Sequence, residues 1–215
     1  MPDRPTPRIS SRKIPKQARS TELVSSILEA AVQVLAAEGA QRFTSARVAE
    51  KAGVSVGSLY QYFPNKAAIL FRLQSDEWRQ TTAQWAVILG DASRSPPDRL
   101  RSLVHAFVRS ECAEAALRTA LDDAAPLYRD APETLEIHGE GDRIIKSFMR
   151  EALPAASDET RELTGDLIIT TITAVGKEFS ETPRTEAETN AYADALADMV
   201  CAYLSKLEPA WTRQD

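Results

Sequence analysis

Apolar residues recur at helical spacing along most of this 215-residue chain. Ile27, Ala31 and Val34 lie three or four positions apart, so they form one face of a first predicted helix. Gly39 ends that helix, because glycine readily takes the left-handed conformation found after a helix C-terminus. Prolines and polar turns separate the helices predicted further along the chain, which are 66–89, 98–111, 113–125, 133–152, 158–180 and 187–207.

Two segments complicate this helical pattern. Gly139 and Gly141 weaken the middle of segment 133–152, so a kink or break is expected there. The run 167–175, which reads Leu-Ile-Ile-Thr-Thr-Ile-Thr-Ala-Val, has the composition of a strand. Its flanks are helical and the sequence offers no partner strand, so we predict a buried helix. The predicted fold class is therefore all-α.

Residues 43–66 have the pattern of two short helices joined by a tight turn. Thr44 can cap the first helix, Ser55 can cap the second, and Gly53 can take the left-handed conformation between them. Pro64 ends the second helix just before it. The residues expected to face inward are Val48, Ala49, Ala52, Val54, Leu59, Tyr62 and Phe63. This spacing is typical of a helix-turn-helix, whose second helix enters the major groove of DNA. The alternative is a small buried helical hairpin with ordinary polar residues outside.

The second short helix leaves an outward surface at residues 55–61. Gln61 can pair with adenine there, and Val56 can touch a thymine methyl group. Asn65 is the predicted cap of the following helix. Phosphate contacts are expected from Thr44, Tyr60 and Lys66.

Residues 21–71 resemble the DNA-binding domain of the tetracycline-repressor (TetR) family of regulators. The resemblance lies in Ile27-Leu28-Glu29-Ala30-Ala31, in Ala37-Glu38-Gly39, in Leu59-Tyr60-Gln61-Tyr62-Phe63 and in Asn65-Lys66. It implies that the DNA-binding residues are Thr44, Ser45, Arg47, Ser55, Val56, Gly57, Ser58, Tyr60, Gln61 and Lys66. Family members often carry Arg where this chain has Ala46, so a base contact from the first helix depends on Arg47 or Ser45.

The resemblance also implies an overall organisation. A basic flexible arm (1–20) precedes a three-helix, helix-turn-helix DNA-binding domain (21–71) and a larger helical bundle that binds an effector and dimerises (72–215). The expected molecule is a cytoplasmic homodimer that represses transcription from a palindromic operator on double-stranded DNA and is released by a small organic effector. An activator or a ligand-independent DNA binder with the same head stays open, as does a helical enzyme or interaction module.

The net charge of −5 hides an asymmetry. Residues 1–72 carry 11 Lys and Arg against 5 Asp and Glu, whereas residues 73–215 carry 15 against 26. A basic head on an acidic body suits DNA binding, since the field near the head is local.

The first 20 residues contain little apolar material, and we expect them to be disordered in the free protein. This segment holds four prolines and the basic residues Arg4, Arg8, Arg12, Lys13, Lys16 and Arg19. It is either a solvated tail or an arm that follows the DNA backbone or enters the minor groove.

Aromatic and soft side chains of the body suit a mostly apolar effector pocket. Trp78 and Trp85 are seven positions apart on one predicted helix, so they share a face. The full set of candidate pocket residues is Trp78, Trp85, His105, Phe107, Tyr128, His138, Phe148 and Met149. Each of them alone is more typical of a core. Together they favour a hydrophobic or aromatic organic effector whose identity the sequence does not give.

The last two helices are apolar enough to form either the core of the body or a dimer seam. The candidate seam residues are Leu167, Ile168, Ile172, Val175, Phe179, Tyr192, Leu196, Met199, Val200 and Tyr203. The resemblance implies a four-helix seam made from two copies. A two-fold dimer would also place two recognition helices on one palindromic site.

Catalytic and metal-binding patterns are not apparent in the sequence. Cys112 and Cys201 are far apart and suit a reducing cytoplasm, and with His105 and His138 they do not form a metal-ligand spacing. We find no phosphate-binding glycine loop and no serine-centred nucleophile motif. We therefore expect neither an enzyme nor a cofactor. An apolar run near the length of a membrane span is also not evident, so a membrane partner is not expected.

Overall fold

The computed structural model describes Ile9, residues 18–128 and residues 132–208, without the side chains of residues 18–19 and 132–138. Within these residues the secondary structure is helical, which confirms the all-α prediction. The α-helices are α1 (Ala18–Arg42), α2 (Ser45–Lys51), α3 (Val56–Tyr62), α4 (Lys66–Leu89), α5 (Pro96–Ala124), α6 (Pro132–Ala152), α7 (Asp158–Ser180) and α8 (Glu186–Leu207). A 3-10 turn, Ala125–Leu127, follows α5.

Gly39 interrupts α1 with a φ of 73°, as predicted, but two other predicted helix interruptions are wrong. Helix α5 continues through residue 112, where two helices were expected. The segment there reads Glu-Cys-Ala-Glu-Ala-Ala-Leu-Arg, which has no helix breaker. Helix α6 continues through Gly139 and Gly141, because a glycine inside a helix costs only about 1 kcal/mol. Burial of Phe148 and Met149 on the same helix offsets such a cost.

The chain packs as two compact units. The head unit comprises Met1–Arg79 and Ala116–Ile137, and the body unit comprises Gln80–Ala115 and His138–Asp215. Helices α4, α5 and α6 therefore each contribute residues to both units. The predicted boundary at residue 71 separates a DNA-binding domain from an effector-binding and dimerisation domain. It divides the chain by function, which packing does not test, so it stays a prediction.

The core of the head unit joins the three N-terminal helices to α4 and to the end of α5. Its fully buried side chains include Ile27, Leu35, Phe43, Val48, Leu59, Ile69, Leu70 and Leu121. Tyr128 completes this core: its ring lies 5.7 Å from that of Phe71, and its hydroxyl donates a hydrogen bond to the Leu121 carbonyl at 3.0 Å. Burial raises the pKa of the Tyr128 hydroxyl far above its ordinary value. Arg118 and Glu77 form an ion pair at 2.8 Å that also joins α5 to α4.

The body unit has an apolar core and, in addition, a buried arginine and two closely packed glycines. Arg99, which is 1% exposed, donates a hydrogen bond to the Leu89 carbonyl at 2.7 Å and pairs with Glu151. Gly165 and Gly176 let α7 approach its neighbours closely. A Cβ atom on Gly176 would lie 2.9 Å from the Phe107 ring.

Helix α1 is an exception to the expectation about membrane spans. Its residues Ser20–Arg42 are long and apolar enough to cross a membrane by length and composition alone. Ile27, Ala31 and Leu35 of this helix are completely buried in the head unit. Its apolar face is therefore accounted for by packing inside the protein.

Candidate nucleic-acid interface

Helices α2 and α3 are fixed at both ends by local interactions. The Thr44 hydroxyl accepts a hydrogen bond from the Arg47 amide at 3.3 Å, and the Ser55 hydroxyl accepts one from the Ser58 amide at 3.0 Å. Gly53 has a φ of 68° in the turn between the helices. These three predicted roles are confirmed. Each cap contributes about 1 kcal/mol.

The inner faces of the two helices lock their crossing. Val48 and Ala49 of α2 and Leu59 of α3 are completely buried, and Phe63 is nearly so. The Val54 amide donates to the Ala49 carbonyl at 2.9 Å and closes the turn. The orientation of α3 is therefore set by packing, and its other face is presented rigidly.

The outward face of α3 is small and uncharged. Val56 and Tyr60 are 38% and 40% exposed, and Gly57 and Gln61 are exposed beside them. The hydroxyl groups of the two serines, Ser55 and Ser58, lie 2.8 Å apart and bond to each other. The face therefore offers one amide, one phenol, two serine hydroxyls and apolar surface to a partner.

The two candidate base-contacting residues of α2 differ in exposure. Ser45 is buried, whereas the Arg47 side chain is half exposed and pairs with Glu38 near the end of α1. Of these two candidates, Arg47 is therefore the one whose side chain is accessible to DNA, and it forms an ion pair with Glu38. The sequence does not indicate Glu38 in this role, because no sequence pattern links residues on two different helices.

The N-terminus of α4 lies directly after the helix-turn-helix. The Asn65 side chain accepts a hydrogen bond from the Ala68 amide at 2.9 Å, which confirms it as a cap. Lys66 is partly exposed at the first position of the helix. The predicted arm, residues 1–20, lies outside the described residues except for Ile9, which is buried in the head core, and the start of α1.

The candidate pocket residues divide between the two units. Trp78 and Tyr128 belong to the head unit. In the body unit, Trp85 lies edge-on to Phe107 with 6.4 Å between ring centroids. The Nε2 atom of His105 donates a hydrogen bond to the Asp194 carboxylate at 3.0 Å. The body core also contains Phe148 and Met149. The side chain of His138 lies outside the described residues.

The candidate seam residues divide between two faces of α7 and α8. Leu167 and Met199 are 47% and 51% exposed, and Tyr192 is also exposed. Leu163 is exposed one turn before Leu167. The residues buried in the core of the body unit are Ile168, Ile172, Phe179, Leu196 and Val200. Val175 and Tyr203 are partly buried.

The part of the chain that the structure describes contains no group of three or more His, Cys, Asp or Glu side chains placed to bind a metal ion. Cys112 and Cys201 are both free thiols. Burial raises the pKa of the Cys201 thiol, so this group is held in its protonated form.

Comparisons with known proteins match both halves of the chain. Residues 27–73 match the family model of bacterial regulatory proteins of the tetR family. Residues 95–207, more than half of the chain, match the model of the tetracyclin repressor-like C-terminal domain.

A curated relative and several solved structures are similar to the chain. The HTH-type transcriptional repressor KstR of Rhodococcus jostii is 26% identical over 124 residues, which cover 58% of this chain and 57% of that protein. The chain thus matches just over half the length of that relative. The fatty acid degradation regulator FadR of Bacillus halodurans is 18% identical with a TM-score of 0.65, covering 87% of this chain and 96% of its own. A TetR-family regulator of Mesorhizobium loti is 18% identical with a TM-score of 0.68, covering 87% and 98%. At these identities the structures support the fold.

Proposed function

The chain belongs to the TetR family of bacterial regulatory proteins, and from this we propose that it is a ligand-responsive DNA-binding regulator. In the proposed mechanism a homodimer binds a palindromic operator and represses transcription in the cytoplasm until a small organic effector releases it. The observation that carries the proposal is the rigidly capped helix-turn-helix, whose second helix presents a small, uncharged face.

The proposed DNA contacts follow from exposure and helix position. Residues of α3 read base edges, because the N-terminal part of a recognition helix lies closest to the major groove. Thr44, Tyr60 and Lys66 bind phosphates and set the register of the head on the duplex. Arg47, held by Glu38, is the remaining basic candidate.

A homodimer is supported by apolar side chains that the body unit leaves exposed. Leu163 and Leu167 project from α7, and Tyr192 and Met199 project from α8. The two exposed side chains of each helix are four or seven positions apart and so share one face of that helix, as expected where a partner covers an apolar surface. Two-fold pairing would set two recognition helices one helical turn of DNA apart, about 34–36 Å.

Release by an effector would require coupling through a shared element. Helix α4 begins at Lys66 beside α3 and contributes its last residues, up to Leu89, to the body unit. We propose that an apolar effector in the body favours a different pose of this helix. A coupling of about 1–3 kcal/mol lowers operator affinity about 5- to 150-fold, and the operator must weaken effector binding by the same factor. Equal effector affinity with and without operator would refute this step.

The DNA-binding proposal is tested by selecting duplexes from a random pool with the full-length protein and measuring salt-dependent affinity. Lys66→Ala should bind the selected duplex more weakly, with a salt slope shallower by about 0.9 for each phosphate that is no longer neutralised. Arg109→Ala, which removes an exposed charge from the body, is the matched control and should keep the wild-type slope. Failure to enrich any duplex at low salt would refute the proposal. A two-fold symmetric consensus supports it.

The dimer proposal is tested by light scattering of charge variants. Met199→Glu and Leu167→Glu should halve the mass of the particle, because they place charge in the proposed seam. Val87→Glu is the control, since Val87 is 75% exposed on α4, outside the proposed seam. A wild-type protein that stays monomeric at micromolar concentration, with and without operator DNA, would contradict the proposed dimer.

The alternative to a repressor is an activator with the same DNA-binding head. An activator would be recognised because transcription would rise when the protein occupies its DNA site.

A further inference from the structure

Gly57 lies on the outward face of α3, and no contact inside the protein requires a glycine there. Successive helical residues are about 100° apart, so the direction opposite to buried Leu59 and Phe63 falls at Gln61, and Gly57 lies about 40° from it, between Gln61 and Tyr60. A Cβ atom on Gly57 would meet only the Ser55 hydroxyl, at 3.7 Å, which is an ordinary contact. Its φ is not in the left-handed region.

The fold would therefore accept alanine at position 57, and the helix would prefer it. A glycine that the protein does not need points to something outside the protein that needs the space. In a recognition helix this would be the edge of a base.

The isopropyl group of Val56 and the ring of Tyr60 give this glycine an apolar wall, while the Tyr60 hydroxyl is the part proposed to bind a phosphate. Val56 and Tyr60 lie one turn apart on one side of Gly57, and each is more than a third exposed. Val54, two positions earlier, packs against the head core, whereas the Val56 side chain stays exposed. We name the surface formed by Val56, Gly57 and Tyr60 the α3 notch.

The residue types on α3 limit which base edge the α3 notch fits. The helix reads Val-Gly-Ser-Leu-Tyr-Gln-Tyr, so it carries neither the Arg and Lys that read guanine nor the Asp and Glu that read cytosine. The hydroxyls of Ser55 and Ser58 bond to each other, and a serine hydroxyl can donate or accept, so neither serine selects one particular base. In the major groove the 5-methyl group of thymine is the apolar group on the base edges.

We propose that the α3 notch receives a thymine 5-methyl group, so that each operator half-site contains an A·T pair at this position. The inference rests on the proposed DNA-binding function and adds the base that one part of the surface recognises. Gln61, on the other side of Gly57, does not contribute to the methyl contact.

The experiment starts from the duplex that the full-length protein selects from random DNA. Each thymine of a half-site is replaced in turn by deoxyuridine, which lacks only the 5-methyl group. Burial of one such group is worth about 0.8 kcal/mol, so one replacement should weaken binding about four-fold. The symmetric pair of replacements in both half-sites should weaken it about 16-fold.

Protein variants assign the effect to the α3 notch. Val56→Ala should bind the thymine and deoxyuridine duplexes with nearly equal affinity. Gln61→Ala should bind more weakly but keep the four-fold difference. Gly57→Ala should unfold at the same or a higher temperature than the wild type, yet bind both duplexes at least ten-fold more weakly.

Three results would overturn the inference while leaving DNA binding intact. The first is a selected duplex in which no thymine is sensitive to loss of its methyl group. The second is an unchanged sensitivity in Val56→Ala, and the third is wild-type affinity in Gly57→Ala. A protein that enriches no duplex would instead refute the proposed function, and this inference with it.

Discussion

Replacing Gly176 with alanine should destabilise the body unit, although alanine is the better helix former. The added Cβ atom would lie 2.9 Å from Cε1 and 3.3 Å from Cδ1 of Phe107. Carbon atoms prefer separations of about 3.5–4.0 Å, so the ring or helix α7 must move. Phe107 is buried, with Trp85 edge-on at 6.4 Å and Glu111 also close to Gly176, which limits that movement.

The size of the effect follows from comparing two helical glycines. Overpacking of a core costs about 1–3 kcal/mol. Both Gly176→Ala and Gly139→Ala gain about 1 kcal/mol in helix propensity, but a Cβ on Gly139 would meet nothing within 4 Å. Gly176→Ala should therefore be less stable than Gly139→Ala by about 1–3 kcal/mol.

Urea unfolding at one fixed protein concentration measures this difference, since an oligomer is stabilised by concentration. Phe107→Leu should recover part of the loss in the Gly176→Ala background, because a smaller side chain leaves room for the Cβ atom. Equal stability of the two alanine variants would refute the argument from close packing. So would a double-mutant cycle without coupling between positions 107 and 176.

Three further predictions concern ion pairs and a buried hydroxyl. The hydrogen bond from Arg99 lowers the pKa of Glu151 below its ordinary 4.5, so its stabilisation is present above that value and is lost as pH falls through the lowered pKa. The stability difference between wild type and Glu151→Gln should therefore shrink below about pH 4.5 in urea titrations, and a constant difference would contradict this. Tyr128→Phe should lose about 0.5–1.5 kcal/mol in urea unfolding, since it removes the buried hydrogen bond to the Leu121 carbonyl; an unchanged midpoint would refute that role. Glu38→Gln should free Arg47 for phosphate and steepen the salt slope of non-specific DNA binding by about 0.9 for each phosphate that Arg47 neutralises, whereas an unchanged slope would show that Arg47 does not reach DNA.

The parts of the fold that the sequence predicts well depend on local interactions. Thr44 and Ser55 cap helices three residues away from their bonding partners, and Asn65 does the same for α4. Gly53 has a φ of 68° in the turn, a conformation that glycine adopts without the steric cost that other residues incur. These features are encoded within a few residues, so a pattern search along the chain finds them.

Long-range packing is what the sequence did not reveal. The sequence predicts Tyr128 in the effector pocket, because this residue is aromatic and follows the predicted DNA-binding domain, 21–71, in the chain. In the structure it lies in the head core, with its hydroxyl 3.4 Å from the side chain of Gln74, 54 residues earlier. Helical periodicity says that a face is apolar but does not say what covers it. Glu38 and Arg47 were missed as a pair for the same reason.

Helices α7 and α8 make this limit concrete and sharpen the dimer proposal. Leu167 and Ile168 are adjacent in sequence but about 100° apart on the helix, and the first is exposed while the second is buried. Met199 and Val200 repeat the division on α8. The sequence could not separate these faces because both are apolar. A helix needs one apolar face to pack in its own domain, so burial of Ile168 and Val200 already accounts for that requirement. The second apolar face, at Leu167 and Met199, is not needed for packing within the domain. The partner that we propose for it is a second copy of the chain, because a two-fold interface pairs the same surface of both copies.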